Sequence, residues 1–195
     1  IYLGHSFSEV DAQQSTIPGK YILYVGQREH YKNFIWMLGS VGNFLIQNNI
    51  LLVCAGGGVF TESEIQIIEE NQLREKVLYK NIPDDQVLGQ LYKNAFCFVF
   101  PSLFEGFGIP ILEAFANKCP AVLSMASCFP EIATNAALYF DTHDVYSLEL
   151  QLSRLLNDSI LRNQLIEAGT SRLKYFGWDK MVEAHKKVYH QILGK

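Results

Sequence analysis

The sequence predicts an α/β fold in which a parallel sheet is flanked by helices. Two observations support this prediction. Short apolar runs alternate with longer segments of helical spacing along all 195 residues. Several of these runs are apolar throughout, which is typical of strands buried on both faces of a parallel sheet. The predicted strands are 21–25, 50–55, 77–79, 95–100, 120–123 and 137–140.

Helical segments fill the intervals between these strands. Glu64 stands three residues after Thr61, which is the spacing of a capping box at a helix start. Residues 1–19 are expected to be an irregular lead-in, and 177–195 a terminal helix. The predicted helices are 34–46, from Thr61 or Ser63 to Leu73, from 83–85 through Tyr92, from Ile109 through Ala116, 144–156, 160–176 and 178–193, with a turn or one-turn helix at 130–132.

The composition excludes several classes of protein. A formal net charge of −4 and a pI near 5.7 argue against a nucleic-acid-binding protein, which usually carries a basic face. The four cysteines form no C-x-x-C pair, so we expect buried free thiols in a reducing, cytoplasmic compartment. No apolar stretch reaches the roughly 18–20 residues that span a bilayer. Because H-E-x-x-H and D-x-D are both missing from the sequence, no metal site is predicted.

Four loops are expected to meet at one edge of the sheet. In parallel sheets, ligands bind outside the carboxyl ends of the strands. The loops that follow those ends are 26–33, 56–60, 101–108 and 124–130. The glycine run 56–58 either lets a ligand approach or is a plain loop, and the sequence supports both interpretations equally.

The most informative loop lies between the strand 95–100 and the helix that starts near Ile109. Glu105 stands in this glycine-bearing loop, and Glu113 lies about five residues into the helix, roughly 7 Å along its axis. The neighbours of Glu113 are almost all apolar, and a buried carboxylate needs a partner. Both glutamates are therefore expected to face one ligand, with Glu113 suited to a vicinal diol. The alternative is that Glu113 is a solvated helix residue.

Backbone amides and cations are available near the same loop. The amides of Phe107, Gly108 and Ile109 open the helix and can hold a phosphate or sugar oxygen. Arg28 and Lys32 follow the end of the first strand and can neutralise a diphosphate without a metal. In isolation such cations are usually exposed surface charges. Their place beside a glycine loop and a buried glutamate favours the functional interpretation.

Residues 101–114 resemble the E-x7-E signature of glycosyltransferase family 4, whose members are retaining enzymes with the GT-B fold. The order of further matches agrees with that family: 21–26 with Lys32-Asn33 is similar to its phosphate-binding segment, 88–95 to the helix before the motif strand, Ser127-x-x-Pro130-Glu131 to the next loop, and Phe176-x-Trp178 to the start of the last helix. The resemblance covers essentially the whole chain. It implies a Rossmann-like parallel sheet flanked by helices, which is one half of a GT-B fold.

The resemblance also implies a role for each candidate residue. Glu113 would bind the ribose hydroxyls of a nucleotide, and Glu105 would contact the donor sugar. Arg28 and Lys32 would hold the diphosphate and stabilise the leaving nucleotide, so that Glu105, Arg28 and Lys32 are the catalytic candidates. The other residues expected to bind the donor are Gly26, Gly106, Phe107, Gly108, Ile109 and, near the base, Ile82.

The chain departs from the family pattern at four places. Gln27, rather than Arg28, directly follows the glycine that ends the first strand, where the family often has a basic residue. Lys118 and Thr134 stand where glycines are usual, and Met125 replaces a common asparagine. These departures concern the geometry of the loops and leave the resemblance to the family intact.

The family implies an activity for a protein larger than this chain. Residues 1–195 resemble only the C-terminal, donor-binding half, with the N-terminal acceptor domain missing. The expected reaction is retaining transfer of a hexosyl unit from a UDP-, GDP- or ADP-sugar to a glycan or lipid-linked acceptor, without cofactor or metal. The isolated domain is expected to turn over little, and any peripheral contact with the inner face of the cell membrane is expected through the missing half.

Two other functions are compatible with this fold class. A non-catalytic nucleotide-sugar-binding module would share the donor site, and the presence of Glu105 beside Glu113 argues weakly against it. A nucleotide-cofactor oxidoreductase would need G-x-G-x-x-G after its first strand. After Val25 the chain reads Gly-Gln-Arg-Glu-His-Tyr, which does not fit that pattern.

Overall fold

The computed structural model describes residues 1–5, 9–11 and 14–194. In this part of the chain, six strands form one sheet in the order β3-β2-β1-β4-β5-β6, and all neighbouring strands are parallel. This order is that of a doubly wound, Rossmann-like sheet, so the predicted fold class is confirmed. The strands are β1 (Tyr21–Val25), β2 (Leu51–Ala55), β3 (Val77–Lys80), β4 (Cys97–Phe100), β5 (Ala121–Ser124) and β6 (Ala137–Phe140).

Helices cover both faces of the sheet. None of those in the described ranges is long and apolar enough to cross a membrane. Short 3-10 turns at His30–Lys32, Thr134–Ala136 and Leu173–Tyr175 connect some of the elements. The helices are α1 (Phe34–Gln47), α2 (Glu62–Glu70), α3 (Asp85–Asn94), α4 (Ile109–Ala116), α5 (Phe129–Ala133), α6 (Ser147–Asn157), α7 (Ser159–Arg172) and α8 (Trp178–Leu193).

The central strand β1 shows why the strands are apolar throughout. Tyr21, Leu23 and Val25 point to one face and pack with α3, α4 and α5, whereas Ile22 and Tyr24 point to the other face and pack with α1, α2 and α6. All five side chains are buried. A strand covered on both faces must be apolar at every position, which explains the continuous runs in the sequence.

The start of α2 is confirmed and its end is three residues earlier than predicted. The Thr61 hydroxyl accepts a hydrogen bond from the Glu64 amide, and the Glu64 carboxylate accepts one from the Thr61 amide, so the capping box is formed. The helix ends at Glu70 rather than at Leu73. Gln72 has a φ of 59°, a left-handed conformation that no α-helix can continue through.

Two helix boundaries in the last third also differ from the prediction. Helix α6 starts at Ser147 rather than at residue 144, because the Asp144 carboxylate accepts a hydrogen bond from the Tyr146 amide and forms a turn instead. Helix α7 stops at Arg172, and the residues up to Tyr175 tighten into a 3-10 turn. Both differences lie at helix termini, where local hydrogen bonds determine the boundary.

The first residues of the chain pack beside the start of α8. His5 forms a parallel bridge with Gly177, and the rest of the described lead-in is irregular, as predicted; residues 6–8 and 12–13 lie outside the described ranges. Tyr2, Phe107 and Phe176 form an aromatic cluster, with ring centroids 6.3 Å, 5.1 Å and 5.8 Å apart. This aromatic cluster connects the lead-in, the loop before α4 and the entrance to α8.

Two of the departures from the family pattern adopt backbone conformations that favour glycine. Lys118 has a φ of 55°, and Thr134 has a φ of 50° with a ψ of −120°. A residue with a Cβ pays about 1–2 kcal/mol for a left-handed conformation. The backbone at both positions is therefore what a glycine would adopt without strain, although the side chains are larger.

Candidate functional site

The four predicted loops meet at the carboxyl edge of the sheet and contact one another. The Gly26 amide donates to the Ala55 carbonyl at the end of β2, over 2.9 Å. The Leu103 amide donates to the Tyr31 carbonyl over 2.8 Å, which joins the loop after β4 to the loop after β1. The shared edge follows directly from the parallel sheet, in which every strand ends at the same side.

Arg28 organises two of these loops. Its guanidinium donates to the Glu64 carboxylate from Nε, over 2.7 Å, and from Nη2, over 3.3 Å. It also donates to the carbonyl oxygens of residues 56–59, at 3.0–3.3 Å. The guanidinium lies 4.9 Å from the Phe60 ring centroid, and the side chain is only 4% exposed. Its donors serve the loop 56–59 and Glu64, and the contact predicted between Arg28 and a diphosphate stays a prediction.

Glu64 is the carboxylate that balances this buried cation. Burial by itself would raise the pKa of Glu64, but hydrogen bonds from Arg28 and from Thr61 outweigh that effect and hold the pKa below its ordinary value. Glu64 therefore stays ionised and caps α2 while it pairs with Arg28. The sequence identified Glu64 only as a capping residue.

Lys32 and Glu105 form an ion pair at the centre of the edge. Lys32 Nζ lies 2.6 Å from Glu105 Oε1, and the two side chains are 14% and 16% exposed. The Lys32 ammonium also lies 5.5 Å from the Phe100 ring centroid and 5.1 Å from that of Tyr31. Two of the catalytic candidates, 73 residues apart in sequence, are thus in direct contact.

Ser127 fixes the backbone of Glu105. Its hydroxyl donates to the Glu105 carbonyl over 2.7 Å and accepts from the Glu105 amide over 3.1 Å. Ser127 itself has a φ of 54°, a left-handed conformation that turns its side chain towards this loop. Ser127 is part of the resemblance, but its contact with Glu105 could not be predicted from sequence, because it depends on the loop after β5 folding over the loop after β4.

Glu113 lies half-buried on α4 and is held by Tyr92 of α3. The Tyr92 hydroxyl donates to Glu113 Oε2 over 3.0 Å, and Tyr92 is fully buried. Burial raises the pKa of Glu113, the Tyr92 hydrogen bond opposes that rise, and nearby Asp85 adds to it. The expectation that a carboxylate on this apolar helix needs a partner is met by Tyr92, which the helical spacing of α3 identified only as a core residue.

The loop that contains Gly106 and Gly108 leads into α4, as predicted. Gly108 is the N-cap residue with a φ of 85°, and a Cβ there would lie 3.0 Å from Ile111 Cδ1 and 3.2 Å from Phe129 Cε1. Gly108 is therefore required both by conformation and by space. Phe107 is half-buried in the aromatic cluster, and Ile109 is 44% exposed at the first position of the helix.

The remaining predicted donor contacts lie around the same edge. Gly26 has a φ of 120° directly after β1, and Gly106 is exposed in the loop before α4. Ile82 is half-buried in the loop after β3, near Gly56. Within the described ranges, the structure contains no group of three or more histidine, cysteine, aspartate or glutamate side chains able to hold a metal ion.

The fold and this edge define a class before any comparison: a doubly wound α/β domain with a polar ligand site at the carboxyl ends of its strands. The sequence model of the family described as "Glycosyl transferases group 1" matches residues 8–172. The chain belongs to this glycosyltransferase family.

Two relatives of the chain are named as O-antigen chain mannosyltransferases. It is 30% identical over 162 residues to the O-antigen chain mannosyltransferase B of Escherichia coli, covering 82% of this chain and 42% of that protein. It is 31% identical over 160 residues to the O-antigen chain mannosyltransferase RfbU of Salmonella typhimurium, covering 81% of this chain and 45% of that protein. The chain therefore spans less than half the length of the curated relatives it matches.

Solved structures show the same fold. The C-terminal domain of a glycosyl transferase group 1 family protein (LpcC) from Francisella tularensis has a TM-score of 0.72 and 22% identity, covering 89% of this chain and 94% of that domain. The sucrose-phosphate synthase from Thermosynechococcus elongatus has a TM-score of 0.76 and 21% identity, covering 91% of this chain and 46% of that one. The sheet and its helices are thus those of one Rossmann-like half of a GT-B glycosyltransferase.

Proposed function

We propose that this chain is the donor-binding domain of a retaining family 4 glycosyltransferase and binds a nucleotide diphosphate sugar at the carboxyl edge of its sheet. The observation that carries the proposal is the ion pair of Lys32 with Glu105 beside the loop in which Gly108 opens α4, the helix that also carries Glu113. An ammonium, two carboxylates and free helix-start amides are the groups that a diphosphate, a sugar and a ribose require together.

Each residue has a distinct task in this proposal. Glu113 accepts hydrogen bonds from the ribose hydroxyls, and Glu105 contacts the donor sugar. Lys32 binds the diphosphate, together with the amides around Gly108. Arg28 supports the site indirectly, because it holds the glycine loop that faces Gly26. Ile82 lies in the loop after β3, where it would contact the base.

The proposed chemistry is departure of the nucleoside diphosphate from the anomeric carbon of the sugar. Negative charge then grows on the leaving phosphate, and the Lys32 ammonium and the positive end of the α4 dipole stabilise it. Because these groups supply the positive charge, no divalent metal is part of the proposal. The acceptor, a glycan or lipid-linked glycan, would attack with the anomeric configuration retained.

The ion pair between Lys32 and Glu105 bears on the order of events. Lys32 is paired with Glu105 at 2.6 Å, so an incoming diphosphate competes with Glu105 for the ammonium. Release of Glu105 from Lys32 would leave its carboxylate free to contact the sugar. Donor binding and preparation of Glu105 are thereby coupled in a single exchange of partners.

Calorimetric titration of the 195-residue chain tests the proposal. UDP, GDP, ADP and NAD are compared first, followed by the mannose and glucose conjugates of the best diphosphate, because the relatives named above are mannosyltransferases. We expect one nucleoside diphosphate to bind and NAD not to bind. Binding of NAD alone would favour an oxidoreductase, and binding of no nucleotide at all would contradict the proposal.

A lysine variant separates the phosphate contact from general effects of charge. Lys32→Met should weaken binding of the nucleoside diphosphate by at least about tenfold and leave binding of the nucleoside unchanged, because only the diphosphate contacts the ammonium. Lys186→Met, at an exposed lysine on α8, is the matched control and should change neither affinity. Equal losses in both variants would place the diphosphate elsewhere. Robust sugar transfer by this chain alone would contradict the two-domain part of the proposal.

A further inference from the structure

We propose that Tyr92 is the positioning residue for Glu113, and that its hydroxyl orients the carboxylate so that Glu113 discriminates ribose from deoxygenated sugars. The inference rests on the proposed function, in which Glu113 binds the ribose hydroxyls. It adds a residue that never touches the nucleotide. Tyr92 lies on α3, beneath α4, and no part of its side chain is exposed.

The hydrogen bond of Tyr92 divides the two oxygens of the Glu113 carboxylate. Oε2 accepts from the Tyr92 hydroxyl over 3.0 Å, while no donor among the described residues reaches Oε1. One oxygen is thus fixed from inside the domain, and the other is left for a ligand. A hydrogen bond to one carboxylate oxygen restricts rotation of the group, so a diol that approaches it meets an acceptor that is already oriented.

The surroundings of Tyr92 make the hydroxyl a dependable donor. Its ring packs edge-on against Phe98, with centroids 5.4 Å apart, which fixes the ring plane and the position of the hydroxyl oxygen. Burial and the adjacent Glu113 raise the pKa of Tyr92 well above its ordinary value, so the phenol keeps its proton. Because Tyr92 has no solvent contact, its hydroxyl has no competing water to which it could donate.

The charge of Glu113 is the second property that Tyr92 controls. Burial raises the pKa of Glu113, the Tyr92 hydrogen bond acts against that rise, and the nearby Asp85 carboxylate of α3 adds to it. A carboxylate accepts hydrogen bonds from both hydroxyls of a diol, whereas a protonated carboxyl group must use one oxygen as a donor. Without the Tyr92 hydroxyl, Glu113 would take up its proton at a higher pH, and nucleotide binding would be lost at that higher pH.

Tyr92→Phe is the decisive variant, and Tyr21→Phe is its control. Tyr21 is also a buried tyrosine of the same core, and its hydroxyl donates to the Leu91 carbonyl over 2.7 Å rather than to Glu113. Both variants therefore lose one buried hydroxyl. The nucleoside diphosphate that binds wild type best is titrated beside its 2′,3′-dideoxy form, over a range of pH, and the stability of each variant is measured in urea.

We expect wild type and Tyr21→Phe to prefer the ribonucleotide by the same factor. Tyr92→Phe should reduce that preference by about tenfold, the size of one hydrogen bond to a charged group, and move the loss of binding at acid pH upward. The affinity for the dideoxy form should stay the same. A general structural defect would weaken binding of both nucleotides equally and would not move the pH at which half of the binding is lost.

The failures of the two proposals are distinguishable. If wild type binds no nucleoside diphosphate, the proposed function fails, and the inference fails with it. If wild type prefers the ribonucleotide and Tyr92→Phe keeps both that preference and the pH midpoint, only the role of Tyr92 is overturned. If Tyr92→Phe does not fold, Tyr92→Met is used instead, because its flexible apolar side chain fills the same core without a donor.

Discussion

Replacing Arg28 with alanine tests how the glycine loop of the site is held in place. The guanidinium is 4% exposed and the Glu64 side chain 11%, so the variant leaves a largely buried carboxylate without its cation. Removing one partner of a buried ion pair costs about 3–5 kcal/mol. We expect the lower end, about 3 kcal/mol, because the Thr61 amide still donates to Glu64 Oε2 over 2.8 Å.

Urea unfolding followed by circular dichroism measures this cost, and the chain supplies a matched control. Arg74 pairs with Glu69 on the surface, where the side chains are 68% and 53% exposed. Arg74→Ala should therefore change the free energy of unfolding by less than about 1 kcal/mol. If Arg28→Ala costs no more than Arg74→Ala, the inferred burial and partners of Arg28 are wrong.

The pH dependence of unfolding gives the same test a second readout. The pKa of Glu64 is lowered from 4.5 in the folded protein, so its pairing stabilises the fold above that pH. This contribution is lost as the pH falls through 4.5 towards the folded pKa. Without Arg28, Glu64 loses a hydrogen bond and a positive charge that lower its pKa, so this pKa is higher than in wild type. The difference in stability between wild type and Arg28→Ala should consequently shrink on acidification, and a constant difference would refute the reasoning.

Two further predictions concern backbone conformation, and urea unfolding measures both. Gly57→Ala should destabilise the domain by about 2 kcal/mol or more, because a Cβ there would lie 2.7 Å from the Gly26 carbonyl oxygen. Gly58→Ala has a similar φ but meets no atom within 4 Å, so it should cost only about 1 kcal/mol, and equal costs would argue against the close approach of the two loops. Thr134→Gly and Lys118→Gly should each stabilise the domain by up to about 1 kcal/mol, since they relieve a left-handed conformation. A loss of stability in both would mean that these backbones are not strained.

The sheet was predictable because burial on both faces leaves a strong local signal. β1 and β6 have the predicted bounds, and the other strands differ from the predictions by no more than two residues at either end. Four of the six strands are apolar throughout, and β3 and β5 have one polar residue each, at the carboxyl end. Such a run needs no knowledge of distant residues to be identified. The end of α2 and the start of α6 were predicted less well. Gln72 prevents α2 from continuing, and the turn at Asp144 moves the start of α6 to a later residue; hydrophobic spacing encodes neither effect.

The sequence predicted which loops form the candidate site, but not which side chains pair with one another in it. The rule that strand ends share an edge brought Lys32 and Glu105 into one region, and the structure pairs them. The pairing of Arg28 with Glu64 spans 36 residues and depends on how α2 meets the first loop. A contact of this kind has no periodic signature, so a cation that holds the fold and one that binds a ligand look alike in sequence.

The aromatic cluster of Tyr2, Phe107 and Phe176 connects the loop before α4 with the residues that lead into α8. Phe107 follows Glu105 by two residues, and its ring rests 5.8 Å from that of Phe176, directly before the turn into α8. A rotation of α8 against the sheet would therefore push on the segment that carries both Glu105 and Gly108.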